Sequence, residues 1–145
     1  MKKLFILLIV TLAIGCSEDI YPTGSSLIGK GSLFGNGSEG ISKQNMVISD
    51  ESSWHVLLEK LNSVNNVSES FTETTIDFSA YQLIAVFDEI RSTGGYSIDL
   101  DILESSDKIQ VNISYQIPED LATTVITQPF HIVKIPLTSR AIEFN

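Results

Sequence analysis

Cysteine is almost absent: the chain of 145 residues holds one. An internal disulfide is therefore excluded. Four-cysteine zinc sites and iron–sulfur clusters are excluded for the same reason. Histidine is scarce as well, with two residues, and no HExxH, GxSxG or HxH spacing occurs. Basic residues number 9 against 18 acidic ones, giving a formal charge of −9 and a pI of about 4.5. Such a balance speaks against nucleic-acid binding, whose affinity comes from Lys and Arg. No apolar run reaches the roughly 20 residues that a membrane-spanning helix needs. The length allows one domain and hardly two.

What is present starts at the N-terminus. Met1, Lys2 and Lys3 form a short positive region, and residues 4–15 are almost all apolar. Twelve residues suit the apolar core of a secretory signal. Cys16 follows directly. The segment Leu12-Ala13-Ile14-Gly15-Cys16 resembles the lipobox of bacterial lipoproteins, although Ala13 stands where leucine is usual. The resemblance implies removal of residues 1–15, acylation of Cys16 with palmitate-type chains, and a bilayer as partner. Each buried CH2 of such a chain contributes about 0.8 kcal/mol of membrane affinity. Ser17-Glu18-Asp19 resembles the acidic tag of surface lipoproteins and equally suits the start of a solvated linker. Cleavage would remove Lys2 and Lys3, leaving seven cations against 18 anions, a balance of −11.

Residues 16–40 have no hydrophobic period, and six of the nine glycines lie between Gly24 and Gly40. This composition predicts a flexible tether. Within it, Gly24 through Gly29-Lys30 fits GxxxxGK, but Gly31 stands where a phosphate-binding loop needs Ser or Thr. Nucleotide binding is not expected.

Residues 41–145 predict the folded domain. Met46-Val47-Ile48 suits a first strand. Ser49 or Asp50 can cap a helix, with Trp54, Leu57, Leu58, Leu61 and Val64 forming one apolar face over about fourteen residues. Leu83-Ile84-Ala85-Val86-Phe87 suits a central strand covered on both faces. Thr93-Gly94-Gly95 signals a tight hairpin turn. Tyr96, Ile98, Leu100 and Ile102 alternate with polar residues, as do Val111, Ile113, Tyr115 and Ile117, which predicts half-exposed antiparallel strands. Ser105-Ser106-Asp107 has hairpin spacing between them. Pro129 within the last extended stretch, 124–137, predicts a bulge, an edge or a break. The expected class is α+β: an antiparallel sheet of five or six strands with one amphipathic helix packed on it.

Chemistry-bearing clusters are few. His55 stands beside Trp54 at the start of the helix, and His131 on the last strand. Asp99 and Asp101 share a strand face near Glu104, as a hard-cation site or as a solvated face. Asp88, Glu89 and Arg91 predict an ion pair. No catalytic set, cofactor or metal site is expected, so the chain is not expected to be an enzyme.

Two stretches carry a further resemblance. One runs from Asp77 to Phe87 and on through Thr93-Gly94-Gly95-Tyr96. The other centres on Thr127-Gln128-Pro129-Phe130-His131-Ile132-Val133-Lys134-Ile135-Pro136. Together they resemble the C-terminal domain of the protease complex subunit PrcB family, over residues 77–136. The resemblance implies an accessory or stabilising role at an exported protease, in the cell envelope at the outer membrane, without peptide cleavage. Thr93, Gly94, Gly95, Tyr96, Pro129, Phe130 and His131 are its motif residues, as interaction positions or as turn and packing residues. An exported ligand-binding or protease-inhibitor module is the alternative. Three glycosylation-type Asn-X-Ser triplets, at Asn36, Asn66 and Asn112, are expected to be chance matches if the chain is the bacterial lipoprotein that its start resembles.

Overall fold

The computed structural model describes residues 19–119 and 123–145. The signal segment, Cys16, Ser17 and Glu18 lie outside the described residues. The strands are β1 (Ser26–Leu33), β2 (Gln44–Ile48), β3 (Tyr81–Phe87), β4 (Ser97–Glu104), β5 (Lys108–Gln116), β6 (Gln128–Pro136) and β7 (Ala141–Phe144). Among the described residues, one α-helix, α1 (Glu51–Leu61), lies between β2 and β3, and one 3-10 turn covers Val67–Ser70.

The class is α+β, but seven strands form two sheets rather than five or six forming one. Four strands run in the order β1-β6-β3-β2, all antiparallel. Three run in the order β4-β5-β7, with β7 parallel to β5. Period two says which residues of a strand turn inward; it does not say which sheet the strand joins.

The four-stranded sheet is the middle layer. On β3, Leu83, Ala85 and Phe87 pack toward α1 with Trp54, Leu57 and Leu61. Ile84 and Val86 pack the other way, with Ile98, Leu100 and Ile102 of β4 and Val111 of β5. The unbroken apolar run of β3 therefore fills two cores, as a strand covered on both faces requires. Helix α1 starts where Asp50 caps it, its carboxylate accepting from the Ser53 N–H at 2.8 Å. It ends at Leu61, one turn earlier than its apolar spacing predicts, and Val64 is exposed.

The expected tether is the largest correction. Residues 26–33 are β1, paired antiparallel with β6 through a register shift between Leu27 and Gly29. Ile28 and Leu33 are fully buried. A β-carbon on Gly29 would meet the Phe71 ring at 2.5 Å. That glycine answers a close approach, not a need for flexibility. The GxxxxGK match falls on the same strand, with no helix after it. Upstream, residues 19–21 lie along β4: Ile20 forms a parallel bridge with Asp101, and its carbonyl accepts from the Ile102 N–H at 2.7 Å.

Two smaller corrections concern the family motif. Thr93-Gly94-Gly95 is not a hairpin turn, because β3 and β4 belong to different sheets. It is part of the passage between the sheets. Pro129 makes neither an edge strand nor a break. It sits second in the interior strand β6, one place beyond the last β3 pair, Phe87 with Phe130. There the missing N–H interrupts no β3 pairing.

Candidate functional site

The motif residues gather at one end of the sandwich, where β3 ends and β4 and β6 begin. Backbone pairing closes this corner. Arg91 and Thr127 exchange two hydrogen bonds, Arg91 N–H to Thr127 C=O at 2.7 Å and the reverse at 3.0 Å. The Gly94 N–H donates to the Thr123 carbonyl at 3.0 Å, and the Thr127 hydroxyl donates to the Thr93 carbonyl at 3.0 Å. Gly95 has φ +89, and a β-carbon there would lie 2.8 Å from Pro118. Both strain and space therefore demand glycine. Tyr96 lies under the Arg91 guanidinium, 4.8 Å from its ring centroid.

Beneath the corner is an ion cluster built around one buried carboxylate. Asp88 is 1 % exposed and takes Arg91 at 2.7 Å and Lys43 at 3.1 Å. Burial alone would raise its pKa, but Arg91 and Lys43 outweigh burial and hold the carboxyl below the usual range. The expected pair of Asp88 with Arg91 is thus a three-membered cluster, with Glu89 touching Arg91 at 2.8 Å. The Gln128 amide donates to the carbonyls of Ile41 and Asp88, both at 2.9 Å.

Pro129, Phe130 and His131 are all buried. Phe130 stacks on Phe87, with centroids 6.3 Å apart. His131 lies between the two sheets and has no exposed surface. Its Nδ1 is 2.8 Å from the Ile98 carbonyl and its Nε2 is 2.7 Å from the Tyr21 hydroxyl. A carbonyl only accepts, so Nδ1 carries the proton and Nε2 accepts from Tyr21. Around this pair, Lys30 bridges Asp19 at 2.8 Å and Asp99 at 2.6 Å, while Asp19 also accepts from the Leu100 N–H at 2.9 Å. Burial pushes His131 below its ordinary pKa, against the pull of the Ile98 carbonyl and Asp19. Burial, with Asp19, Asp99 and Asp101 nearby, raises the Tyr21 phenol.

A pH dependence follows. The unfolded chain binds a proton at His131 near pH 6.5, and the folded chain resists it until lower pH. This contribution to stability is complete above about pH 6.5 and declines as pH falls below it, by at most about 1.4 kcal/mol per pH unit. Asp19 and Asp88, with lowered pKa values, act only at more acidic pH. Urea melts from pH 7.5 to 5 are expected to show falling stability, with a flatter profile for His131→Gln. Equal slopes in both proteins would contradict the assignment to His131.

The other carboxylates do not converge. Asp101 takes the Ile20 N–H at 3.3 Å, and Glu104 binds Arg140 at 2.5 Å. Among the described residues, no group of three or more His, Cys, Asp or Glu has metal-site geometry. His55 stays exposed on α1, away from His131. An open groove of about 550 Å³ runs beside β1, lined by Lys30, Ser32, Phe34, Asn66, Glu69 and Phe130 among others.

This corner, with its Gly-Gly turn and its Pro-Phe-His strand, is one contiguous unit of the chain. Residues 83–136 match the PrcB C-terminal family. The match runs from β3 to the last residue of β6 and takes in every motif residue. β1, β2, α1 and β7 lie outside it. No curated protein and no solved structure matches the chain. Of the two hydrogen-bond partners of the motif histidine, Ile98 lies inside the matched region and Tyr21 outside it. Tyr21, Asp19 and Lys30 carry no local signal in the sequence, because they reach His131 only through the fold.

Proposed function

We propose that this chain is a lipid-anchored, non-catalytic protein of the bacterial cell envelope that serves an exported protease as an accessory or stabilising subunit. The PrcB C-terminal match over residues 83–136 carries the protease half of this reading. The burial of Pro129, Phe130 and His131 supports the non-catalytic half: the motif is spent on packing, and both imidazole nitrogens are engaged inside the protein. Cys16, directly after a short apolar segment, supports the anchor at the outer membrane.

Two experiments test it. Cys16→Ser is expected to move the protein from the membrane pellet to the soluble fraction. Sedimentation of the variant with membranes after a high-salt wash would refute the anchor. Affinity purification of the tagged full-length protein from detergent extracts is expected to bring down an exported protease that remains active. Repeated recovery of the chain alone would refute the accessory role, and an inhibited protease would favour an inhibitor module instead.

A further inference from the structure

Among the described residues, several exposed apolar side chains share one end of the domain. Ile90, Tyr115, Ile117, Val125 and Ile126 all surround the motif corner, and Ile117 is 72 % exposed. Tyr115 and Ile117 continue the inward-facing alternation of β5 past the end of the core: Ile109 and Val111 are buried, whereas Tyr115, opposite Ile98, is exposed. The apolar face of the strand outruns its covering sheet. Lys43 and Arg91 lie over the rings of Tyr115 and Tyr96, with Glu89 and Glu119 also at this end.

The path of the chain says what lies opposite this rim. Residues 19–21 run parallel to the edge of β4, with Asp19 bonded at Leu100 and Ile20 at Asp101 and Ile102. Residues 19–21 therefore run away from the Ser97 end of β4, which is the rim end. Cys16 precedes Asp19 by three residues. That link reaches at most about 10 Å, roughly the length of β4 from residue 97 to residue 100 at about 3.3 Å per residue. With residues 19–33 bound into the fold, no long spacer separates the cysteine from the domain.

We infer that the rim around Ile117 faces the bilayer and lies in its headgroup region, so that the domain stands end-on against the membrane. This rests on the acylation of Cys16 proposed above. Aliphatic side chains with tyrosines at their edge suit the water–lipid boundary. The surfaces left for a protein partner are then the flanks and the hairpin end around Ser105.

Thiol chemistry tests this in the full-length lipoprotein. Acylated Cys16 takes no thiol label, so Ile117→Cys and Leu103→Cys each carry a single environment-sensitive fluorophore. Leu103 is exposed at the far end of β4. In phosphatidylethanolamine–phosphatidylglycerol vesicles, a label at residue 117 is expected to shift to the blue and to be quenched by doxyl-lipids about twofold or more over a label at residue 103. Equal, weak quenching of the two labels in protein that floats with the vesicles overturns the orientation and leaves the anchor standing. A label shielded at residue 117 only in native membranes, and not in pure lipid, assigns the rim to a protein and also overturns it. If the unsubstituted protein takes label at Cys16 and fails to float, the anchor reading falls, and the orientation with it.

Discussion

A chain that begins at Ile41 is expected to lose cooperative folding, while the chain from Ser17 melts in one transition. A tether could be cut without consequence; β1 cannot. Its removal empties the positions of Ile28 and Leu33, both fully buried in the core beneath α1. Burial of one such side chain contributes roughly 1.5–3 kcal/mol, so two of them, about 3–6 kcal/mol, are comparable with the lower end of a small domain's stability of about 5–15 kcal/mol. The cut also strips the β6 edge of its ladder from Ser26 to Leu33 and takes Tyr21 from His131. Thermal melts followed by circular dichroism decide the matter. A cooperative melt of the shortened chain within a few degrees of the longer one would show that β1 does not hold the sheet.

The second large effect is expected at His131. Replacement by leucine keeps an apolar volume of similar size but leaves the Tyr21 hydroxyl and the Ile98 carbonyl without their partner between the sheets. A buried polar group left unpaired costs about 1–3 kcal/mol, so His131→Leu is expected to cost roughly 2–5 kcal/mol for the two groups together. Tyr21→Phe alone costs less, near 1 kcal/mol, as one hydrogen bond. The double variant is expected to recover part of the loss, because the hydroxyl stranded by His131→Leu is then gone. Urea denaturation of the four proteins gives the coupling. Additivity to within about 0.5 kcal/mol would mean that Tyr21 and His131 do not act as a pair.

Both predictions depend on residues whose role no local pattern reveals. The helix was legible because its signals are local: Asp50 caps it, and Trp54, Leu57 and Leu61 recur at the helical period. Strands β3, β4 and β5 were legible for the same reason, from the apolar run 83–87 and from strict alternation in the other two. The β4–β5 hairpin showed in Ser105-Ser106-Asp107, which joins them through a three-residue loop. The family motif was visible as residue identities, yet its meaning was not. Gly94 and Gly95 suit a hairpin turn by sequence yet serve a passage between sheets, since glycine relieves the same backbone strain in both. His131 read as a strand residue; that it is fully buried and bonded on both nitrogens depends on Tyr21, 110 positions away.

Local pattern was enough for the α+β class, an amphipathic helix, the apolar strands and the place of the lone cysteine. These rest on spacing along the chain, where helices and strands leave periods of 3.6 and 2. That Ser26–Leu33 is a strand, that the strands divide between two sheets, and that Tyr21 bonds His131 emerge from the folded chain. The reason is physical. A glycine-rich segment has linker composition until a neighbour such as Phe71 occupies the space its side chains would have filled. Which sheet a strand joins is fixed by pairing energies summed over partners far away in sequence.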